Sequence, residues 1–393
     1  MIDDGWTLHH GDCLDVLPTL DPVEAVVTDP PYGLEFMGQD WDKLNVVADP
    51  AAVGGFQDGA GGNSYSRIRI RYGRSDPAQM QAWFVQHFSA IRDALKPGGH
   101  LLAFGGTRTH HRLMVGIEDA GFEIRDVIMW VYGAGVPKSH DIGKGIDKDA
   151  GATREVIGRY TSPEGTTGPH SGGHGLPLAS FSADGSGRAD ITTPSTDAAT
   201  QWDGWGTALK PAWEPIIVAR NPLAGTVAQN GLAHGVGGIN IDGCRVGGPI
   251  ETWPTSRSYA PHQKQPGHAG ETQSTGPAPA GRWPANLVHD GSEEVTRLLP
   301  ARFFYCAKAA QSDRNEGVEG RNTHPTVKPL ALMRYLVRLV TPPRGTVLDP
   351  FMGSGSTGKA ADLEGCRFVG IEADLDSYQI AVQRRRAQQS FRW

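Results

Sequence analysis

The sequence predicts an α/β chain built around a doubly wound parallel sheet, and three observations lead there. Short apolar runs, Ala25 to Val27, His100 to Phe104, Thr346 to Asp349 and Arg367 to Ile371, are too short for helices and read as buried strands. Amphipathic helical stretches alternate with them, the pattern a parallel sheet requires. Acids or a glycine turn follow the strands directly, at Asp29, Phe351 to Gly358 and Glu372, where open α/β sheets place their ligands.

Taken in order, Trp6 to His10 reads as the first strand, and Asp12 just beyond it is either a helix cap or a ligand contact. In Val23 to Gly33 the strand ends in Asp29-Pro30-Pro31-Tyr32. The prolines fix φ and lack N–H donors, so this turn is stiff and offers carbonyls, while Tyr32 supplies a flat face with a polar tip. An acid, a rigid carbonyl and an aromatic plate suit a planar ring bearing an exocyclic amine. Gly33 to Ser75 is glycine-rich with little periodicity and is expected to be a mobile lid or a substrate-contacting segment.

A helix should follow from Pro77, with Met80, Trp83, Phe84, Phe88, Ile91 and Leu95 on one face, stopped by Lys96 to Gly99. After the His100 to Phe104 strand come a helix over Thr107 to Ala120 and a strand over Phe122 to Tyr132. Ser162 to Trp205 is rich in Gly, Ser, Thr and Pro, and Leu209 to Arg220 returns to a strand pattern. Pro222 to Pro300 is irregular, and its stretch Tyr259 to Gly281 is either disordered or ordered by a partner. Arg302 to Cys306, a helix with Leu332, Met333, Leu336, Val337 and Val340 inward, and the strand, glycine turn, helix (Lys359 to Glu364) and strand leading to Glu372 complete the chain. The expected divisions are a catalytic half at 1–147, an insertion at 148–208, a returning strand at 209–221, a recognition region at 222–300 and a cofactor half at 301–393.

At 393 residues the chain can hold two domains, or one with large insertions. No apolar run is long enough for a bilayer and the amino terminus is acidic, so a soluble cytoplasmic protein is expected. Cys13, Cys244, Cys306 and Cys366 stand apart, with no zinc spacing, which predicts no metal and a reducing compartment. A net charge of −6 argues against holding nucleic acid by global charge, although Arg67, Arg69, Arg71, Arg74 and Arg384 to Arg386 could line a local groove or simply be solvated.

Gly353 to Lys359 satisfies most of a phosphate-loop pattern, but Ala360 stands where the magnesium-binding hydroxyl belongs. The glycines serve equally to let a nucleoside cofactor without phosphates approach, with Glu372 placed for ribose hydroxyls.

Asp29-Pro-Pro-Tyr32 together with Phe351-x-Gly-x-Gly355 resembles the S-adenosylmethionine-dependent DNA amino-methyltransferases, and the order of the two motifs is similar to the family's beta class. The resemblance covers roughly residues 6–147, 209–220 and 302–385. It implies a Rossmann-like class I methyltransferase sheet with an inserted target-recognition region, S-adenosyl-L-methionine as cofactor, double-stranded DNA as partner, and a restriction-modification setting in bacteria or phage, with a homodimer allowed. In catalysis it implies that Asp29 and the Pro30 carbonyl accept from the target amine, on the turn stiffened by Pro31, while Tyr32 stacks on the extruded base. For the cofactor it implies a turn of Phe351, Gly353 and Gly355 beside Asp349, Glu372 on the ribose and Asp12 on the adenine edge. His324 to Pro329 matches a family segment, placing Thr326 and Lys328 at the methionine part. The Asp-headed motif favours adenine N6 over cytosine N4. Methylation of a protein or RNA amide, and an inactive DNA-binding relative, are the competing readings. Cytosine C5 chemistry is set aside because no cysteine follows a proline.

Overall fold

The computed structural model describes residues 5–32, 45–47, 67–69, 77–133, 135, 139–160, 189–247, 281–297, 304–306, 314–318 and 327–390. In chain order its strands are β1 (Trp6–His10), β2 (Val23–Thr28), β3 (Asn45–Val47), β4 (Arg67–Arg69), β5 (Leu95–Phe104), β6 (Glu123–Val131) and β7 (Val156–Tyr160). They continue with β8 (Ala189–Thr192), β9 (Trp213–Arg220), β10 (Leu287–His289), β11 (Phe304–Tyr305), β12 (Thr346–Asp349) and β13 (Arg367–Glu372). Nine of them form one sheet in the order β1-β13-β12-β2-β5-β9-β6-β10-β11. β1, β13, β12, β2 and β5 run parallel, and β9 lies antiparallel against β5. The expected doubly wound sheet is therefore present, with β9 antiparallel to β5 within it.

The connections reverse direction between β12 and β2. From β12 the chain passes through the helix Ser356–Leu363 to β13, whereas from β2 it reaches β5 by way of the helix Pro77–Asp93. Asp349 ends β12 and Asp29 follows β2, so the two predicted motifs meet at this switch point, on the carboxyl edge where crevices form. The core beneath is apolar throughout: Val23, Val26, Phe84, Phe88, Ile91, Leu101, Ala103, Leu113 and Ile117 are buried together.

At the amino edge Glu24 holds three strands in register, accepting from Lys96 Nζ at 2.5 Å and from the Thr346 N–H at 2.6 Å. Burial would raise its pKa, but these two donors win and hold the carboxyl below its ordinary value. Lys96 to Gly99, expected to lie outside the sheet, are an irregularity within β5, whose pairing with β2 shifts between Val23 and Ala25. Gly98 is left-handed there, at φ +79°, and a Cβ on it would lie 2.2 Å from Asn230 Nδ2.

The same contact involves part of the 222–300 region. Residues 222–247 contain the helix Val227–His234, opened by a capping box of Thr226 and Gln229, and they brace the amino edge. Fully buried Asn230 donates to the Pro97 and Val236 carbonyls and accepts from the Ala224 N–H, all at 2.9 Å. Asn240 bonds the Arg338 and Leu339 carbonyls at the end of the helix Leu330–Val340. β10, also within that region, extends the main sheet, as does β11, which falls inside the strand expected over Arg302 to Cys306.

A second compact unit comprises Val131–Glu214 with Ser292–Val295, wider than the 148–208 insertion expected. Within it the helices Ile142–Asp149 and Asp197–Gln201 and the β7–β8 pair surround Asp147. Buried Asp147 accepts from Arg154 Nη1 (2.9 Å), the Ser195 N–H (3.0 Å) and the Thr196 hydroxyl (2.8 Å). Against the effect of burial, those donors hold its pKa below the ordinary value. Of the loop Gly33 to Ser75, the antiparallel pair β3–β4 is described; the Tyr259 to Gly281 stretch lies outside the described residues, apart from Gly281.

Truncating Asn230 strands buried N–H and carbonyl groups that cost about 1–3 kcal/mol each, so Asn230→Ala should lose about 2–4 kcal/mol of stability. Urea unfolding should show a lower midpoint with an unchanged slope. A midpoint equal to wild type would contradict the brace.

Candidate active site

β2 delivers Asp29 to the carboxyl edge with its side chain about one-fifth exposed. The Tyr32 hydroxyl donates to Asp29 Oδ1 at 2.7 Å, and Lys328 Nζ donates to Oδ2 at 2.5 Å. Lys328 Nζ also lies 3.4 Å from the Tyr32 hydroxyl and 4.7 Å from the centre of the Phe104 ring, at the end of β5. Gly106 backs the tyrosine, for a Cβ there would sit 3.2 Å from the Tyr32 ring. Pro30 is buried and Pro31 half-buried, consistent with a turn held rigidly on the sheet.

The glycine turn lies on the neighbouring strand. Gly353 and Gly355 adopt left-handed φ values of +53° and +78°, and a Cβ on Gly355 would press within 3.2 Å of Ala381. The following helix begins at Ser356, three residues before the expected start at Lys359, and takes in Gly358, which packs against Trp6 and Phe368. Glu372 closes the turn, accepting from the Gly353 N–H at 2.7 Å and the Asp374 N–H at 2.8 Å. Burial raises its pKa in spite of those bonds.

Asp349 joins the two motifs. It accepts from the Thr28 hydroxyl at 2.7 Å and the Phe351 N–H at 3.2 Å through Oδ1, and from the Thr357 hydroxyl at 2.5 Å through Oδ2. Thr28 immediately precedes Asp29, and Thr357 lies in the first turn of the helix after the glycines. Burial pushes the Asp349 carboxyl up to about 7, against the pull of these donors, and the nearby Asp29 charge adds to the rise.

Asp12 is exposed and caps a short helix, accepting from the Leu14 N–H at 2.9 Å. One of its carboxylate oxygens, the Cys13 sulfur and one His87 ring nitrogen lie within 4.8 Å of one another. His87 stacks on Trp83 with ring centres 3.7 Å apart and bonds the Trp83 carbonyl, while Phe351 lies 5.8 Å from Trp83 and 6.1 Å from His87. Burial lowers the His87 pKa, favouring the neutral ring. Sequence reading missed His87; its position four residues after Trp83 on the buried helix face was the available signal. Thr326 lies outside the described residues.

Two cations near the glycine turn are engaged elsewhere. Buried Lys359, the would-be phosphate-loop lysine, pairs with Glu316 at 2.5 Å. Arg384, which the sequence leaves as part of a local basic groove or of a solvated surface, is instead buried, with Nη1 donating to the Ser354 carbonyl at 3.0 Å and reaching the Ser354 and Ser356 hydroxyls at 3.3 Å. It clamps the turn from behind. A glycine-lined turn with hydroxyls and carboxylates around it, and its cations spent on the protein, fits a phosphate-free nucleoside cofactor such as S-adenosylmethionine.

Because the folded pKa of Asp349 lies above its ordinary 3.8, its stabilising contribution is fully present below about pH 4 and is lost as pH rises through about 7. Asp349→Asn removes this titration. The stability of wild type relative to the variant should therefore fall between pH 4 and pH 8 by on the order of a few kcal/mol, measured by urea unfolding across that range. A pH-independent difference would contradict the buried, protonating carboxyl.

A family model described as DNA methylase matches residues 23–383. The Type II methyltransferase M.HindIII of Haemophilus influenzae is 24% identical over 389 residues, 96% of this chain and 94% of that protein. Among solved structures, the M1.HpyAVI–SAM complex is 15% identical with a TM-score of 0.41, covering 96% of this chain and 98% of its own. PvuII DNA methyltransferase, described as cytosine-N4-specific, is 14% identical with a TM-score of 0.44, covering 97% and 86%. The family match spans both motifs and the strands that carry them, and the chain belongs to the N6/N4 DNA methylase family.

Proposed function

We propose that this chain transfers a methyl group from S-adenosylmethionine to the N6 amine of adenine in double-stranded DNA, in the cytoplasm of a bacterial or phage-infected cell. The observation that carries the proposal is the fixed Asp29 carboxylate beside the glycine turn at the sheet's switch point. The choice of adenine rests on the acid that heads the motif.

An exocyclic amine conjugated with its ring is a poor nucleophile. Asp29 and the Pro30 carbonyl accept its two N–H bonds, which favours the geometry in which the nitrogen lone pair leaves conjugation. S-adenosylmethionine supplies a methyl group activated on a sulfonium. On taking up that methyl group the amine nitrogen would become cationic, and Asp29 would stabilise the charge until one proton leaves for solvent. The target base must first leave the duplex at a cost of a few kcal/mol, and stacking on Tyr32 returns about 1–3 kcal/mol of it. Its hydroxyl bond to Asp29 and the Gly106 backing hold the tyrosine ring ready for this.

With 222–247 occupied in bracing the amino edge, opposite Asp29, we assign base reading to the rest of the 222–300 region and to the arginine-bearing loop Gly54 to Arg74.

Asp29→Ala should lower the single-turnover methylation rate by about 10²–10³, the worth of one preorganised contact to the reacting group. Cofactor affinity by calorimetry should survive, because the glycine turn and Glu372 lie on other strands. Tyr32→Ala should weaken capture of the flipped base, and a mismatch at the target position should partly rescue it but not Asp29→Ala. Near-normal turnover by Asp29→Ala would overturn the catalytic assignment.

A further inference from the structure

Lys328 stands where the family resemblance places a contact to the cofactor's methionine part, yet its ammonium rests on Asp29. Its backbone leaves little freedom. Val327 and Pro329 on either side are buried, and Pro329 is the N-cap of the helix Leu330–Val340, which fixes itself in the core through Leu332, Met333, Tyr335, Leu336, Val337, Leu339 and Val340. From this anchor the side chain, one-tenth exposed, passes over the Phe104 ring to Asp29 Oδ2. A cation over an aromatic face and against a carboxylate is held by two attractions at once.

We propose that Lys328 is a positioning residue for catalysis, which sets the rotamer of Asp29 through Oδ2 while Tyr32 sets it through Oδ1. The carboxylate rotates about two torsions, and one tether leaves it free to swing; two tethers on opposite oxygens fix its plane. Each oxygen keeps a further lone pair for the target amine. The preorganisation that makes Asp29 effective thus comes from Tyr32, three residues on, and from Lys328, 299 positions away in sequence. The inference rests on the methyl-transfer reading above and names the group that aligns its acid.

The test is a double-mutant cycle on the full chain with Lys328→Met, Lys328→Arg, Asp29→Ala and the Lys328→Met/Asp29→Ala pair. Labelled methyl incorporation into duplex DNA is followed under single turnover at saturating cofactor, with cofactor affinity by calorimetry and melting temperature alongside. Lys328→Met should lower the rate on the order of 10- to 100-fold, the scale of a small misplacement at the reacting centre, with cofactor affinity kept. Lys328→Arg, which retains the charge and keeps the protein folded if Met does not, should recover part of the rate. In the Asp29→Ala background Lys328→Met should add no further loss, since it acts through that carboxylate. Losses that multiply in the pair, a tenfold weaker cofactor with a normal saturated rate, or an unaffected Lys328→Met would each overturn the proposal. An inactive wild-type protein would instead sink the methyl-transfer reading itself.

Discussion

The carboxyl of Asp349 is the interaction on which the site depends. It reaches Thr28 across 321 residues of sequence and Thr357 within its own motif, so one buried group ties the catalytic strand to the glycine turn. Parallel strands put all their carboxyl ends on one edge, but that alone leaves neighbouring loops free to shift. A buried acid must find donors or protonate. Here it finds three donors while burial raises its pKa, so the junction between the two motifs is stiff and polar at the point where an amine and an activated methyl would have to meet.

The protein spends many of its cations inward. Lys359 goes to Glu316, Arg384 to the glycine turn, Arg220 to Glu123, and Arg334 and Arg338 to Glu364. These contacts fix segments to the sheet and commit positive charge to partners within the protein. With a net charge of −6, attraction to DNA must come from a small local set of basic side chains rather than from the molecule's overall field.

The sheet and its two motifs were legible because their signals are local. A four-residue apolar run, an acid after it and glycines that need left-handed φ can be read without knowing what lies across the fold. Partners far apart in sequence could not be read in this way. Lys328 was assigned by its motif, and nothing near it in sequence announces Asp29. Arg384 looked like one of three solvated arginines, yet its place on the inward face of the last helix puts it under the glycine turn. The glycines, prolines and polar residues of Pro222 to Pro300 read as irregular, yet within it Asn230 fits closely against the backbone at Gly98 and Pro97. Irregular composition signals irregular backbone, and only tertiary contacts tell whether it faces a partner or the protein's own sheet edge.

The central claim is that this edge methylates adenine on its exocyclic nitrogen. Nucleoside mass spectrometry of DNA from cells expressing the chain tests it most directly, against the same cells without it. The account predicts N6-methyladenine that appears only with expression. N4-methylcytosine in its place, or DNA without either modified base, would contradict it.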